Sequence, residues 1–178
     1  MVAVGSEVYT LGYGGLGVEV FTKLLKELNV EVVVDLRRWC ASRRVPEFSG
    51  EALRALLSSL GILYLWVPEL GGYRRFGVDV DDLGIGRCFR SEGFRAYATY
   101  VLHSPIAREA LARLEEICRS YRALLLCRER VPARCHRKIL SDWLLFKGFR
   151  VLHVVPPKVF EHRFTRCAAV VSGELTYL

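Results

Sequence analysis

Short, almost wholly apolar runs alternate along this chain with longer stretches whose apolar residues recur at helical spacing. Val30–Val34 is rich in β-branched residues, and the preceding Val18–Leu28 has apolar residues three and four positions apart. Strands of this kind are typical of sheets buried on both faces. Parallel neighbours in such sheets need helical crossovers. The sequence therefore predicts an α/β fold of three layers, with a mostly parallel five-stranded sheet and helices on both faces.

The same patterns give the approximate bounds of each element. Strands are predicted at Glu7–Leu11, Val30–Val34, Ile62–Val67, Ala123–Leu126 and Val151–Val155. Helices are predicted at Val18–Leu28, from a cap at Ser49, and at Phe94–Leu102, Ile106–Arg119 and Arg134–Lys147. No repeat or linker interrupts the chain, so residues 1–178 are expected to form one domain with a tail at 156–178. The tail carries one further strand-like run, Cys167–Val171.

Composition narrows the class of protein. Hydrophobic residues make up 52% of the chain, which excludes an intrinsically disordered protein. No apolar run approaches the roughly 18–20 residues needed to cross a bilayer. The first residues lack the basic and apolar regions of a signal peptide. We therefore expect a cytoplasmic protein without membrane contacts, and the oligomeric state stays open.

Arginine dominates the positive charge. The formal net charge is +7, and arginine supplies 21 of the 26 basic residues. One interpretation is the salt-bridged surface of a thermophile protein, because the chain has no glutamine and a single asparagine. The other is an anion site, because the guanidinium fork suits phosphate and carboxylate. Composition alone does not choose between them.

The segment Cys127–Arg137 concentrates reactive groups at a predicted strand-to-helix turn. It holds two thiols, an imidazole, a carboxylate and four guanidinium groups within eleven residues. Open α/β sheets bind ligands at such turns, and a helix N-terminus lowers the pKa of a thiol. Cys127 or Cys135 is therefore a candidate nucleophile. Two alternatives stay open, namely small buried residues and a disulfide between the two cysteines.

Several familiar sites fit the sequence poorly. A phosphatase loop needs Cys-x5-Arg, but Ala133 stands at that spacing from Cys127. Zinc is not expected, because adjacent ligands such as Cys135 and His136 rarely converge on one ion. The glycines at 12, 14 and 17 only weakly resemble a dinucleotide fingerprint. No histidine forms a recognisable triad, and His153 is expected to be structural. No metal or other cofactor is predicted.

The predicted loops after the strands are rich in arginine. Twelve of the 21 arginines fall in the segments that follow the first four strands. Because parallel strands end at one edge of a sheet, we expect an anion-binding edge there. The alternative is a set of ion pairs that brace long loops, with Asp35 and Glu69 as partners. The loop Glu69–Arg90, rich in glycine and arginine, is predicted to be a mobile lid over this edge; the alternative is a rigid, ion-paired loop.

A set of motifs resembles one known family. They are Gly12-Tyr13-Gly14, Asp35-Leu36-Arg37, Ser42-Arg43 with Pro46 and Phe48, Pro68–Gly72, Phe94-Arg95 with Tyr97 and Tyr100, and Cys127-x-Glu129 with Cys135-His136-Arg137. On these residues the chain is similar to the domain of unknown function 488 family over about residues 8–155. Gly14 stands where many members have serine. The resemblance supports the site but brings no established activity. The two tyrosines are otherwise expected in the core.

The predicted function is an enzyme acting on a phosphate-bearing or nucleotide ligand at the carboxyl-terminal edge of the sheet. The candidate catalytic residues are Cys127, Cys135, Glu129 and Asp35. The candidate ligand-binding residues are Gly12, Tyr13, Arg37, Arg43, Glu69, His136 and Arg137, with Arg37, Arg43 and Arg137 clamping the anion. The alternative is a nucleic-acid-binding module without catalysis, suggested by the charge and the arginine-rich loops.

Overall fold

The computed structural model describes residues 7–178, which form an α/β fold around a central six-stranded sheet. The strands are β1 (Glu7–Gly12), β2 (Val32–Asp35), β3 (Leu63–Trp66), β4 (Ala123–Cys127), β5 (Arg150–Val155), β6 (Lys158–Glu161), β7 (Ala168–Val171) and β8 (Glu174–Tyr177). The helices are α1 (Val18–Glu27), α2 (Gly50–Ser59), α3 (Glu92–His103), α4 (Pro105–Ser120) and α5 (Arg137–Phe146). The strand order β3-β2-β4-β1-β5-β6 confirms the predicted fold class.

Two hydrophobic cores lie on opposite faces of the sheet. Alternate strand residues divide between them: Val8 contributes to one core and Leu11 to the other. The connections from β1 to β2 and from β2 to β3 run one way along the sheet, and those to β4 and β5 run the other way. Because crossovers are right-handed, α1 and α2 cover one face while α3, α4 and α5 cover the other. This is the predicted three-layer arrangement.

The sheet has one more strand than predicted. Five strands are parallel, as expected, and β6 adds an antiparallel edge by pairing with β5. All four residues of β6 are exposed, so the strand has no apolar alternation that a sequence pattern could reveal. The remaining strands, β7 and β8, form a separate hairpin. Leu175 and Tyr177 of this hairpin pack into the core that α3, α4 and α5 share.

Serine side chains cap the helices where the sequence predicts caps. Ser49 accepts a hydrogen bond from the backbone N–H of Ala52, and Ser104 accepts one from that of Ala107. Helix α5 begins at Arg137 and not at the predicted Arg134, because residues 132–134 form a short 3-10 turn. In residues 7–178, no helix is both long enough and apolar enough to cross a membrane.

Candidate functional site

A cleft of about 690 Å³ opens at the carboxyl ends of the parallel strands. Strands β1 and β4 are neighbours, but the chain leaves them in opposite directions along the sheet. Their loops therefore diverge and leave a crevice, which is where ligands bind in open α/β sheets. The loops meet first at the base of the cleft, where the N–H of Tyr13 donates to the carbonyl of Cys127 at 3.0 Å.

Glycine is required at the end of β1. A Cβ atom on Gly12 would overlap the backbone carbonyl of Glu129, which crosses over it. The N–H of Gly14 donates to the carbonyl of Arg128 at 2.8 Å, which fixes the crossing. The sequence predicts that Gly12 binds a ligand. In the structure its role is steric, because the absence of a side chain lets the loop after β4 lie over the end of β1.

Cys127, Cys135 and His136 lie together on the floor of the cleft. Cys127 ends β4, and Cys135 follows the turn at 132–134. The Sγ of Cys127 lies 3.4 Å from Nε2 of His136, and the Sγ of Cys135 lies 3.6 Å from Nδ1 of the same ring. Both thiols are buried, while the imidazole is half-buried. The structure thus brings together three of the predicted site residues.

The two thiols have opposite pKa shifts. The neighbouring thiol of Cys127 lowers the pKa of Cys135 well below its ordinary value, and the charges of His136 and Arg137 lower it further. The Nε of Arg137 donates to the Sγ of Cys135 at 3.3 Å. Burial raises the pKa of Cys127 well above its ordinary value. Of the two thiols, Cys135 is therefore the one whose surroundings favour the thiolate form.

The side chain of Arg137 is fully buried, so its guanidinium group binds other groups of the protein. Besides Cys135, its guanidinium donates to the carbonyl of Glu129 and, at 3.2 Å, to Oγ1 of Thr10. The sequence predicts that Arg137 clamps an anion. In the structure its guanidinium group instead binds Cys135 and the loop that carries it. It holds the loop after β4 against β1 and supplies positive charge beneath Cys135.

A buried chain of hydrogen bonds continues from Arg137 to the tail. Thr10 Oγ1 lies 2.7 Å from Nδ1 of His153, whose Nε2 lies 2.9 Å from Nδ1 of His162. Nε2 of His162 lies 2.8 Å from a carboxylate oxygen of Asp142. Asp142 also accepts from the N–H of Thr165 and the hydroxyl of Tyr177. Local sequence patterns did not reveal this network, because its members come from β1, α5, β5 and the tail.

With both imidazoles neutral, only one placement of protons satisfies this chain. The Asp142 carboxylate can only accept, so Nε2 of His162 donates to it and Nδ1 of His162 accepts from Nε2 of His153. Nδ1 of His153 then accepts from the hydroxyl of Thr10, which itself accepts from Arg137. Burial lowers the pKa of His153 to about 3, and the charge of Arg137 adds to this effect. His153 is therefore neutral at physiological pH, which supports the structural role predicted for it.

Asp35 and Arg37 form a buried ion pair behind the cleft. The Nη2 of Arg37 lies 2.6 Å from a carboxylate oxygen of Asp35, and the hydroxyl of Tyr64 donates to the same oxygen at 2.7 Å. Burial lowers the pKa of Arg37, but hydrogen bonding to Asp35 and the charge of Asp35 outweigh it, so the pKa rises overall. Arg37 also donates to the hydroxyl of Tyr13 and the carbonyl of Phe48. The pair braces the loop after β2.

Glu69 lies apart from the thiols. Its side chain pairs with Arg113 at 3.2 Å, and its backbone carbonyl accepts from the hydroxyl of Tyr100. Tyr97 donates to the carbonyl of Leu70. Both tyrosines are in the core, as the helical spacing predicts. They hold the Pro68–Gly72 motif in place.

Gly72 brings this motif against the thiol site. A Cβ atom on Gly72 would lie 2.9 Å from Nδ1 of His136, so only glycine allows the chain to pass at this point without displacing the imidazole. The motif is thus one wall of the cleft.

Four arginines of the cleft have no partner within residues 7–178. Their guanidinium groups take part in no hydrogen bond or ion pair there, although each residue lines the cleft; they are Arg43, Arg44, Arg128 and Arg134. Glu129 is the one acidic residue among those that line it, and its side chain is exposed. The walls therefore carry a strong excess of positive charge. Of the three predicted clamp residues, Arg43 alone is free to meet a ligand.

The long loop after β3 is cross-braced. Asp79 accepts hydrogen bonds from Arg38 at 3.2 Å, from Arg74 at 3.4 Å and from the backbone N–H of Arg75 at 2.8 Å. Cys88, also in this loop, forms a disulfide with Cys167 of the tail. These contacts fit the rigid, ion-paired alternative better than the mobile lid, which stays a prediction.

Two expectations about the cysteines differ from the structure. Cys127 and Cys135 are both free, so the disulfide considered between them is absent from the described residues. The argument that neighbouring ligands do not converge is also wrong here. The donor atoms of Cys127, Cys135 and His136 lie within 4.8 Å of one another, because the turn before α5 folds Cys135 back towards β4. Two sulfurs and an imidazole form a donor set that suits a soft ion such as zinc.

Comparison with known proteins identifies the family. A family model described as "Domain of unknown function DUF488" matches residues 17–144, a narrower span than the predicted residues 8–155 but well over half of the chain. No curated protein and no solved structure matches the chain. The matched span includes the Asp35–Arg37 pair, the Pro68–Gly72 wall and the Cys127–Arg137 segment. This chain belongs to the DUF488 family.

Proposed function

We propose that this protein is an enzyme that binds a phosphate-bearing ligand in the cleft and acts on it through the thiolate of Cys135. The observation that carries the proposal is the placement of four unpartnered arginines around a thiolate that Arg137 and Cys127 stabilise. Arginine side chains that brace a protein are paired with carboxylates. These four are exposed in the cleft and pair with no carboxylate of residues 7–178, so their charge is available to an anionic ligand.

The chemistry of the walls suits an anion with several charged oxygens, such as phosphate. Guanidinium groups bind phosphate oxygens in pairs and keep their charge at any physiological pH. Arg43 and Arg44 approach from the loop after β2, while Arg128 and Arg134 approach from the loop after β4. An anion between them would lie above Cys135. Charge that develops on the ligand during reaction would be stabilised by the same groups.

Each polar residue at the floor has a distinct role in this proposal. Cys135 is the nucleophile, and His136, in contact with both sulfurs, exchanges protons with the reacting groups. Glu129 lies at the exposed rim and is the acid/base candidate that a ligand could reach. Asp35 is fully buried against Arg37 and Tyr64, so we assign it to positioning the loop after β2.

Phosphate binding tests the proposal directly. We expect isothermal titration calorimetry to detect pyrophosphate and ribose 5-phosphate binding that weakens at least tenfold in the double variant R43A/R44A. R108A is the matched control, because Arg108 is exposed on α4 and does not line the cleft. Loss of binding only in the double variant supports the proposal. The absence of any phosphate binding to the wild-type protein would overturn it.

Turnover is tested separately with phosphate esters. Release of inorganic phosphate or of the leaving alcohol by the wild-type protein, and its loss in C135S, is the expected result. C118S is the control, since Cys118 is buried in the core between α4 and the sheet and burial raises its pKa to about 12. Equal activity of C135S and wild type would exclude Cys135 as the nucleophile.

A second candidate function is a nucleic-acid-binding module without catalysis. Arg43 and Arg44 are exposed on one loop at the rim, and the chain carries a net charge of +7. Binding of this kind is largely electrostatic and should weaken steeply as salt rises. Titration of single- and double-stranded DNA and RNA at about 50 mM salt tests it. Absence of binding under those conditions would exclude it.

A further inference from the structure

Two large aromatic side chains are exposed at the mouth of the cleft, and the reaction proposed for Cys135 assigns no role to them. Trp39 is 63% exposed and Tyr73 is 73% exposed, and both line the cleft. Their ring centroids are 5.9 Å apart, with 37° between the ring planes. Tryptophan and tyrosine seldom leave this much ring in water without a partner to cover it.

Neither ring belongs to a mobile loop tip. The guanidinium of Arg38 lies 5.2 Å from the centre of the Trp39 ring and donates to the backbone carbonyl of Tyr73 at 2.7 Å. Arg38 is itself paired with Asp79 at 3.2 Å. One buttressed arginine therefore joins the two loops that carry the aromatic residues and sets the distance between the rings.

The backbone at Tyr73 is strained. Its φ angle is 60°, in the left-handed region that bulky side chains avoid. Strain of this kind clusters at binding sites, where the surrounding structure holds it in place. Here the preceding Gly72 packs on His136, and Arg38 holds the Tyr73 carbonyl. Tyr73 lines the cleft on the same wall as the imidazole of His136.

Flat aromatic faces beside unpaired guanidinium groups match a ligand with a flat ring at one end and phosphate at the other. Nucleobases stack on tryptophan and tyrosine with little regard to sequence, while arginines hold the backbone phosphate. A sugar can also pack on an aromatic ring. The cationic face supplied by Arg38 over Trp39 favours a π-system over a sugar, because guanidinium and base stack on the same aromatic platform.

We propose that Trp39 and Tyr73 form a base-binding subsite of the cleft, so that its ligand is a nucleotide, either free or at an end of a nucleic-acid strand. This deepens the proposed function and rests on it for the phosphate end of the ligand. The base stacks on the aromatic pair at the rim. The phosphate reaches inward to Arg43, Arg44, Arg128 and Arg134, above Cys135.

Comparison of AMP with ribose 5-phosphate isolates the contribution of the base. We expect the wild-type protein to bind AMP at least tenfold more tightly, with quenching of tryptophan fluorescence. In W39A and Y73A the affinity for AMP should fall about 5- to 100-fold, the range of one lost base stack, while affinity for ribose 5-phosphate stays unchanged. Y121A is the matched control, since Tyr121 is 40% exposed but lies outside the cleft. W39F should retain most of the affinity.

The outcomes separate this subsite from the phosphate site. Equal affinity for AMP and ribose 5-phosphate, or equal weakening of both in W39A, would overturn the base-binding subsite while leaving the phosphate site standing. Failure to bind either compound, pyrophosphate or a 5′-phosphorylated oligonucleotide would overturn both proposals. A 5′-phosphorylated pentanucleotide that binds more tightly than AMP, with the same dependence on Trp39, supports the subsite and identifies a strand end as the source of the nucleotide.

Discussion

At the scale of single residues, the candidate site depends on groups that are buried beneath the cleft. Gly12 gives the loop after β4 room to cross β1, and Arg137 holds that loop and the Cys135 thiolate from below. The thiols, the imidazole and the arginine of this segment were predicted from the sequence because they are close along the chain. The contact between Arg137 and Thr10 was not, since these two residues are 127 positions apart along the chain.

The steric requirement at Gly12 gives a first prediction. G12A should lower the free energy of unfolding by about 1–3 kcal/mol, the usual cost of overpacking, because the new methyl group meets backbone that cannot rotate away. Urea denaturation measures the effect. G17A is the control: the backbone at Gly17 has a φ angle of −78° and a Cβ atom there meets nothing within 4 Å. Equal stability of G12A and wild type would contradict the crossing described above.

The buried neutral state of His153 gives a second prediction. Its pKa is lowered from 6.5 to about 3, so below pH 6.5 the unfolded chain binds a proton that the folded protein does not. Stability should therefore fall as the pH decreases from 6.5 towards 3, by about 1.4 kcal/mol per pH unit from this residue. The titratable and charged groups that face the ring are Asp142, His162, Arg137 and Cys135.

Variants isolate the contribution of His153. Glutamine is neutral at every pH, so H153Q should lose this part of the slope in urea denaturation at pH 7, 6, 5 and 4. H103Q is the control, because His103 is exposed at the end of α3. Parallel stability curves for wild type and H153Q would show that His153 titrates normally.

At the scale of secondary-structure elements, burial decides what the sequence could reveal. The central parallel strands were predicted because both faces of each are covered, as in Val32, Val33 and Val34 of β2, all fully buried. The edge strand β3 was predicted from its apolar residues, although three of its four side chains are exposed. The exposed edge strand β6 carries no such pattern and was missed. The charged residues of the loop predicted to be a lid form ion pairs around Asp79. Sequence patterns could not reveal these pairs, because one partner, Arg38, lies far from Asp79 along the chain.

The contacts of Asp79 give a third prediction. We expect wild-type protein to resist trypsin at Arg74 and Arg75, and D79A to be cleaved there at a higher rate, because three hydrogen bonds to the carboxylate are lost. D81A is the control, since Asp81 is exposed and forms no ion pair among residues 7–178. Rapid cleavage of the wild-type loop that phosphate suppresses would instead establish the lid predicted from the sequence.

At the scale of the whole molecule, residues of the tail pack into a core formed mostly by the region that matches the family model. Residues 145–178 lie beyond the family match, yet Leu175 and Tyr177 pack into the core and His162 closes the chain from Arg137 to Asp142. The disulfide between Cys88 and Cys167 joins the tail to the long loop across 79 residues. The sequence could not reveal this pairing, because six cysteines allow many connectivities.

The disulfide gives a fourth prediction. Closing a loop of 79 residues removes entropy from the unfolded chain worth about 4.5 kcal/mol in the chain-entropy model. C88S/C167S should therefore unfold at lower urea concentration than the oxidised wild type and match the wild type treated with a reductant. C40S is the control, since Cys40 is free. If reduction leaves the urea midpoint unchanged, the bond is not formed in solution.

The central claim is that the cleft holds a reactive thiolate at Cys135, and the pH dependence of iodoacetamide labelling tests it most directly. Mass spectrometry should show Cys135 modified with a midpoint well below the roughly 8.5 of a free thiol, while Cys118 stays unmodified. Pyrophosphate should slow the modification, and R137K should raise the midpoint. A parallel sample treated with a zinc chelator should behave identically. Labelling of Cys135 only above pH 8.5, or only after chelation, would contradict the claim.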